Sequence, residues 1–343
     1  MRESFEQTNK LLVPNNSTTN LGWFLAFFGA IALGLLYYPF SQVFAGNWTL
    51  KQQVDLFDAG TLNLFGYALP IGIITLRFYS VCIFAGVLAG YALALRLSKH
   101  HYIAGTVIDR LLIGLVIFGL IGARLFYVLF NWNEFSSEPI NILYINRGGL
   151  AFFGMLIAGI SYLILYTRWF KFNIWEFLDF LAPSVLIGQI LGRFGNFFNY
   201  EAYGPATKAF WSMRIPESAN LYTDLNDRTF HPTFLYEIIP NFILLCCLLI
   251  NYQKLTKRRT GIVFAIWAMA YGCIRLFTEL FRLDALKISL PSAFSFFNNS
   301  IKIEYLYTSS LSALILLIVG IVIYKQRQNI VYLKRDMSQI GIR

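Results

Sequence analysis

Charged and amide side chains stand inside stretches of this chain that are otherwise apolar. Arg193 and Asn196 close one such stretch, and Arg275 and Glu279 close another. Arg275 and Glu279 are four residues apart, so a helix would place them on one face, where the carboxylate would orient the guanidinium as an ion pair. Arginine binds phosphate through two parallel hydrogen bonds and stays charged when partly buried. These residues therefore predict a site for a phosphate-bearing ligand.

The composition indicates the surroundings of these side chains. Of the 343 residues, 57% are hydrophobic and 13% are charged, and the mean hydropathy is +0.56. A soluble domain carries about 25% charged residues, so the composition excludes a soluble protein. The 33 Phe and 20 Tyr residues exclude a disordered chain. We therefore predict an all-α polytopic integral membrane protein. Its four cysteines all fall in apolar runs and are interpreted as buried hydrophobes.

Eight apolar stretches are long enough to cross a membrane as helices. Crossing about 30 Å of hydrocarbon requires about 20 residues. The predicted spans are Leu21–Phe44, Arg77–Leu97, Val107–Phe130, Leu150–Trp169, Ile174–Phe197, Pro232–Asn251, Gly261–Phe281 and Tyr305–Tyr324.

Basic residues indicate how these spans are oriented. With the N-terminus inside, 16 of the 28 Lys and Arg residues fall in cytoplasmic segments and 9 fall on the opposite side. The positive-inside rule therefore predicts that both termini are cytoplasmic. The net charge of +10 then belongs to loops that face anionic lipid, and no nucleic-acid partner is expected.

The first span has two interpretations. Val43 and Ala45 could form a small-residue cleavage site after a signal peptide. The apolar run of more than 20 residues is long for a signal peptide, which favours a retained anchor.

In this orientation the polar residues within the spans gather in the outer third of the membrane. They are Tyr79, Arg124, Arg193, Asn196, His231, Arg275, Glu279 and Arg282. Scattered structural ion pairs or snorkelling ends would not favour one leaflet, although Arg282 alone could be such an end. A channel or transporter is disfavoured because the polar residues do not continue across the bilayer. The ligand most available at this depth is a phospholipid headgroup.

Glycines form a stripe beside two of these polar residues. Gly188, Gly192 and Gly195 recur at helical spacing just before and after Arg193. Removing side chains from one stripe lets another helix or a lipid headgroup approach the backbone closely.

Thirteen residues carry a specific resemblance. The segment Gly192-Arg-Phe-Gly-Asn-Phe-Phe-Asn-Tyr-Glu-Ala-Tyr-Gly204 closely resembles the motif GRxGNFxNxExxG of the prolipoprotein diacylglyceryl transferase family. Further family-like pieces occur in the same order, from about Leu64 to Tyr324. They are Leu76–Tyr79, Gly122–Leu125 and Tyr127–Phe130, Gly148–Phe152, His231–Glu237 and Tyr271–Glu279.

The resemblance implies a reaction and a location. Family members move the diacylglyceryl group of phosphatidylglycerol to the lipobox cysteine thiol of a preprolipoprotein, which forms a thioether and releases glycerol phosphate. The family fold implies seven core helices, here with an extra N-terminal helix, and a small extracytoplasmic head. The expected place is the bacterial inner (cytoplasmic) membrane, with the site facing the extracytoplasmic side. No cofactor is implied, and the three histidines are too dispersed to predict a metal site.

The resemblance also implies roles for individual residues. Arg193 and Arg275 would clamp the phosphate, and Asn196 would donate to headgroup oxygens. Arg124 would either line the site or form a structural pair with a span carboxylate. Glu201 and Glu279 would orient the arginines or accept a proton. The implied catalytic residues are Tyr79, Arg193, Glu201, Tyr271, Arg275 and Glu279. The predicted phosphatidylglycerol-binding residues are Arg193, Asn196 and Arg275, together with Arg124 and Arg282 because of their place in the outer third.

Three regions follow from this comparison. Residues 1–60 are predicted to form a cytoplasmic N-terminus, the extra anchor and an outer loop. Residues 61–325 are predicted to form the transferase-like membrane domain, with residues 205–231 as its head loop, and residues 326–343 a basic cytoplasmic tail.

The chain departs from the family at one functional position. Phe153 stands where the family has a histidine, while Met155 and Phe126 replace small residues, so the cavity could be narrower and drier. Without that histidine the thiol proton could pass to Glu201 or to the lipid phosphate. His231 is a rival base, although it could simply anchor the start of its helix. A non-catalytic relative that binds phospholipid or lipoprotein signal peptides therefore remains the alternative function.

Overall fold

Helices form most of the described chain. The computed structural model describes residues 17–47, 50, 52–58, 61–64, 67–70, 73–145, 148–216, 229–281, 287–289 and 305–339. Within these residues the α-helices are α1 (Ser17–Phe44), α2 (Phe78–Ser98), α3 (Gly105–Phe130), α4 (Trp132–Phe135), α5 (Phe152–Trp169), α6 (Ile174–Asn199), α7 (Thr233–Arg258), α8 (Ile262–Glu279) and α9 (Thr308–Gln339).

Seven described helices are long and apolar enough to cross a membrane: α2, α3, α5, α6, α7, α8 and α9. They coincide with the second to eighth predicted spans, so the all-α polytopic fold is confirmed. Hydrocarbon offers no partners to the backbone, and a helix satisfies its own N–H and C=O groups. The first predicted span is also helical, since α1 covers 28 residues. That α1 crosses the membrane stays a prediction.

Short strand pairs occupy the connections. They are β1 (Gln53–Asp58) with β4 (Ile73–Arg77), β2 (Thr61–Leu64) with β3 (Tyr67–Pro70), β5 (Met213–Arg214) with β6 (Thr229–Phe230), and β7 (Lys287–Ser289) with β8 (Tyr305–Tyr307). The pair β5–β6 is antiparallel, with Met213 opposite Phe230. It lies in the predicted head loop, but residues 217–228 fall outside the described part, so the head as a unit stays a prediction.

Two compact units make up the chain, and in one of them α3 packs against α5. Gly122 and Gly154 face each other there, and a Cβ on either glycine would collide with the carbonyl oxygen of the other. Phe118 and Tyr162 stack nearby with ring centroids 4.8 Å apart. Small residues therefore allow the two backbones to approach closely, as is usual between helices in lipid.

In the other unit, the predicted glycine stripe of α6 packs against α2. A Cβ on Gly86 would lie 3.3 Å from the Cα of Gly188, and a Cβ on Gly195 would lie 2.7 Å from Cδ2 of Tyr79. Of the two partners left open for this stripe, the structure therefore provides a neighbouring helix.

A buried carboxylate fixes the first turn of α8. Asp179 of α6 is fully buried and accepts hydrogen bonds from the backbone N–H of Gly261 at 2.6 Å and of Phe264 at 3.0 Å. These are N–H groups that a helix start leaves without partners, and the positive end of the helix dipole favours the carboxylate. The cap sets the position of α8 against α6 at one end, while Arg275 lies towards the other.

Candidate functional site

The centre of the site is a carboxylate shared by two arginines from different helices. Glu237 of α7 accepts a hydrogen bond from Nε of Arg193 of α6 at 2.5 Å, and its other oxygen accepts from Nη1 of Arg275 of α8. The Glu237 side chain is 4% exposed. A buried carboxylate needs such pairing because an isolated charge in low dielectric is costly. We call Arg193, Glu237 and Arg275 the arginine cluster.

A second carboxylate holds Arg275 from the other side. Nη2 of Arg275 lies 3.1 Å from Oε2 of Glu279, which confirms the ion pair predicted from the four-residue spacing. Ser309, at the start of α9, donates to the other oxygen of Glu279. Thr278 donates to Glu237 at 3.2 Å. Arg275 is therefore fixed by contacts that involve three helices.

Arg193 is oriented by neutral groups as well. Its Nη1 donates to Oδ1 of Asn196 at 3.1 Å, and a side-chain hydrogen bond joins it to Tyr271 of α8. Because the oxygen of Asn196 faces the arginine, its amide N–H groups are the ones that remain to donate to a ligand. Tyr271 in turn stacks on Trp267, with centroids 5.8 Å apart and rings 2° from parallel.

Exposure decides which groups of the cluster a ligand can reach. The side chain of Arg193 is 20% exposed and that of Arg275 is 10% exposed, against 4% for Glu237. Each guanidinium has five N–H donors. Arg193 uses one of them to bind Glu237. Arg275 uses two, one for Glu237 and one for Glu279. Arg193 and Arg275 can therefore offer their remaining N–H donors to an anion, while the less exposed Glu237 fixes the position of both guanidinium groups.

Tyr79 and Glu201 lie beside the cluster. Tyr79, in the first turn of α2, is within electrostatic range of both Glu201 and Arg193. Glu201 is exposed and accepts a hydrogen bond from Asn199 at 3.2 Å. Tyr200 has φ +53°, so the chain turns sharply away from α6 just before Glu201. Glu201 is therefore a carboxylate beside the cluster that a substrate can reach.

Arg124 makes a different kind of contact and belongs to the other compact unit. Its Nε donates to the carbonyl of Ile142 at 2.8 Å and its Nη2 to that of Asn141 at 2.7 Å. Its Nη1 donates to the carbonyls of Gly148 at 2.8 Å and Gly149 at 3.0 Å. Among the described residues these backbone carbonyls are its hydrogen-bond partners, and it forms no ion pair with a span carboxylate there. The guanidinium therefore closes the connection between α3 and α5.

We expect Arg124→Met to weaken the fold and to leave the KM for phospholipid nearly unchanged in the molecules that fold. Loss of charged hydrogen bonds to four carbonyls should lower the free energy of unfolding by about 2–4 kcal/mol. Thermal unfolding in detergent measures this, and Arg110→Met, at an exposed position of the same helix, is the control. A large rise in KM at unchanged stability would instead make Arg124 a ligand contact.

Comparison with known families covers most of the chain. Residues 66–326 match the model of the family described as prolipoprotein diacylglyceryl transferase. The chain belongs to this family. The matched range agrees with the resemblance predicted from about Leu64 to Tyr324, and it contains the arginine cluster but not α1.

Individual curated relatives agree with this match. A protein of Synechococcus sp. (strain CC9902) is 40% identical over 227 residues, which is 65% of this chain and 81% of the relative. A protein of Fervidobacterium nodosum is 34% identical over 260 residues, which is 75% of this chain and 83% of the relative. Both are named phosphatidylglycerol–prolipoprotein diacylglyceryl transferase.

The three residues that depart from the family, Phe126, Phe153 and Met155, lie on α3 and α5. Phe153 is half-buried and its ring lies 5.9 Å from that of Phe152. Phe126 stacks on Phe130 at 4.6 Å, and Met155 is 44% exposed. A narrowing of the site by Phe153, Phe126 or Met155 stays a prediction.

His231 is held in an aromatic cluster at the start of α7. Its Nδ1 is 2.8 Å from the hydroxyl of Tyr236, which accepts a hydrogen bond from Nε1 of Trp211 at 2.7 Å. The ring of Phe281 lies 5.4 Å from the imidazole. The backbone of His231 also pairs with Gly204 and Pro205. These contacts favour the anchoring role for His231 over that of a free base.

Sequence reasoning missed the residue at the centre of the site. Glu237 was part of the family-like segment His231–Glu237, but no role was predicted for it. Its partners Arg193 and Arg275 are 44 and 38 residues away, so no local spacing links them. The one available signal was a carboxylate within an apolar span. Arg282 lies outside the described residues.

Among the described residues, no group of three His, Cys, Asp or Glu side chains is placed to hold a metal ion.

Proposed function

We propose that this chain transfers the diacylglyceryl group of phosphatidylglycerol to the thiol of the lipobox cysteine in a preprolipoprotein. The observation that carries the proposal is the pair Arg193 and Arg275 held on buried Glu237, in a family whose curated relatives have this activity in their name. Two arginines whose positions are fixed by a buried carboxylate offer the paired N–H donors that bind a phosphodiester.

The reaction is a displacement at carbon. The cysteine sulfur attacks the glyceryl carbon that bears the phosphate ester, and a C–S bond forms as the C–O bond breaks. The electron pair of that bond leaves with the phosphate oxygen, and glycerol phosphate is released. Arg193 and Arg275 stabilise the charge that develops on this leaving group. Because Glu237 and Glu279 already hold the guanidiniums, little reorganisation is required during the reaction.

Deprotonation of the cysteine thiol does not require a histidine at position 153. A cysteine with a pKa of about 8.5 is a few per cent thiolate at neutral pH, and nearby cationic groups raise that fraction. Glu201, exposed beside Tyr79 and Arg193, or the lipid phosphate, accepts the proton. His231 serves as the anchor of α7.

We expect His231→Gln to retain most of the transfer activity at about pH 8, while Glu201→Gln lowers it by about a hundredfold, as expected for loss of a general base. Phe153→His should not impair transfer. Measuring all three variants between about pH 6 and pH 9 tests these roles. Abolition of transfer by His231→Gln at every pH would make His231 the base.

The proposed location is the bacterial inner membrane, with the site on the extracytoplasmic side. The support is the excess of Lys and Arg in the segments predicted to be cytoplasmic. Arg193 and Arg275 lie towards the C-terminal ends of α6 and α8, and Glu237 lies in the first turns of α7. The cluster is thus at the end of these helices opposite the basic connection Lys254–Arg259.

Reporter fusions should reveal this orientation. A reporter inserted in the connection Lys254–Arg259 and one fused after Arg343 are expected to be cytoplasmic, and one inserted near Asp224 is expected to be external. A cytoplasmic signal near Asp224 would contradict an extracytoplasmic site.

Mass spectrometry tests the activity directly. The purified protein is incubated with phosphatidylglycerol and a peptide that contains a lipobox cysteine. We expect a diacylglyceryl mass increase on the cysteine and release of glycerol phosphate, and neither with a peptide whose cysteine is replaced by serine. The alternative, a non-catalytic binder, is favoured only by Phe153, and it predicts bound lipid without transfer.

A further inference from the structure

Three polar side chains near the arginine cluster have buried atoms that no described residue satisfies. Among the described residues, no hydrogen-bond partner exists for Oε1 of Gln189, for Oδ1 and Nδ2 of Asn241, or for Nε1 of Trp267. Asn241 is fully buried. Burying an amide or indole N–H without a partner is costly, so these atoms indicate a ligand that supplies the missing hydrogen bonds.

Gln189 and Asn241 lie one helical turn from the arginine cluster, and Trp267 lies one turn from Tyr271, which is hydrogen-bonded to Arg193. Gln189 precedes Arg193 by four residues on α6, and Asn241 follows Glu237 by four on α7. Trp267 precedes Tyr271 by four residues on α8, and their rings are parallel at 5.8 Å. Four residues advance a helix by about 6 Å and return to nearly the same face. Because α7 runs opposite to α6 and α8, all three displacements point away from the helix ends that carry the site.

Apolar residues lie beyond Gln189, Asn241 and Trp267, on the side away from the arginine cluster. Leu186, Leu245 and Val263 lie about one further turn along α6, α7 and α8, and their exposures are 0%, 1% and 0%. The polar atoms of Gln189, Asn241 and Trp267 therefore continue the arginine cluster inward and do not connect it to the opposite membrane surface.

The unsatisfied atoms specify the chemistry of their ligand. Asn241 Oδ1 and Gln189 Oε1 accept hydrogen bonds, whereas Asn241 Nδ2 and Trp267 Nε1 donate them. A phosphate offers only acceptors and an ammonium only donors, but a hydroxyl group offers both. We propose that Gln189, Asn241 and Trp267 form a hydroxyl-binding subsite next to the arginine cluster, occupied by a hydroxyl of the glycerol headgroup or by water.

The inference that the hydroxyl belongs to a lipid headgroup rests on the proposed function. Phosphatidylglycerol carries its hydroxyl groups on a three-carbon chain beyond the phosphate. The length of this chain is comparable to the helical turn of about 5.4 Å that separates Asn241 from the arginine cluster. With its phosphate on Arg193 and Arg275, the lipid would place neutral hydroxyls at Asn241. The subsite would then disfavour headgroups that end in an ammonium or lack a hydroxyl.

The test compares Asn241→Leu with the wild type on two lipids. Phosphatidylethanol has the same phosphodiester as phosphatidylglycerol but no headgroup hydroxyl. For each lipid, both transfer to the lipobox peptide and displacement of a fluorescent phosphatidylglycerol are measured in detergent. Asn251→Leu, on the same helix at an exposed position, is the matched control. Trp267→Phe keeps the ring and removes only the Nε1 donor, so it provides a second, milder variant.

We expect both variants to weaken binding and transfer of phosphatidylglycerol by about tenfold or more and to leave phosphatidylethanol unchanged. An equal loss with both lipids would identify water as the source of the hydroxyl and would still support the subsite. Wild-type behaviour of Asn241→Leu with both lipids, together with a higher unfolding temperature, would overturn it. If the wild type transfers nothing but binding of phosphatidylglycerol still depends on Asn241, the subsite stands and the proposed function fails.

Discussion

Glu237→Gln is expected to reduce transfer by at least about a hundredfold, equivalent to about 2.7 kcal/mol of transition-state stabilisation. The substitution removes the charge that holds Arg193 and Arg275 and leaves two partly buried arginines without their shared partner. Breaking a buried ion pair by removing one partner costs about 3–5 kcal/mol of folding stability. Transfer rate and thermal unfolding, both measured in detergent, check the two effects.

Two controls separate the loss of the charge from a general loss of structure. Glu134→Gln, at an exposed position, should behave as the wild type in both measurements. Glu237→Asp keeps the charge on a shorter side chain and should give an intermediate loss of transfer. Near-normal transfer and stability of Glu237→Gln would remove Glu237 from its central position in the proposed mechanism.

Arg193→Gln and Arg275→Gln are each expected to lower turnover by at least about tenfold, or about 1.4 kcal/mol. The reason is loss of positive charge and of bidentate donors at the departing phosphate. Lysine at either position should rescue only part of the loss, because an ammonium cannot reproduce the planar fork. Arg96→Gln, at an exposed position, is the control for loss of a positive charge.

The two arginine variants should also differ from each other. Arg275 is paired with both Glu237 and Glu279, whereas Arg193 is paired with Glu237 and neutral neighbours. Arg275→Gln therefore leaves more uncompensated negative charge and should lower the unfolding temperature more than Arg193→Gln does. Near-normal transfer by both variants would contradict the assignment of the arginines to the phosphate.

Contacts at both ends of α8 hold this helix in place. Asp179 caps the start of α8, and Ser309 of α9 holds Glu279 at its other end. Both contacts restrict the helix that carries Arg275. A guanidinium fixed in this way can discriminate a phosphodiester by geometry, because donors that are already oriented cost less free energy to use.

Much of the architecture could be predicted from the sequence because the relevant information is local. A stretch of about 20 apolar residues must become a helix in lipid, so seven spans were predicted close to their observed limits. The pairing of Arg275 with Glu279 also followed from the sequence, since residues four apart share a helix face whatever surrounds the helix. The motif Gly192–Gly204 was sufficient to identify the family.

The tertiary structure decided which residues from different helices meet. The position of Glu237 between Arg193 and Arg275 depends on the depth and rotation of three packed helices, and periodicity along one helix carries neither quantity. For the same reason Arg124 was predicted near a ligand or a carboxylate, yet its contacts are carbonyls of a following connection. The unsatisfied atoms of Asn241 also emerged only from packing, because burial and the absence of a described partner are properties of neighbours that lie far away in the chain.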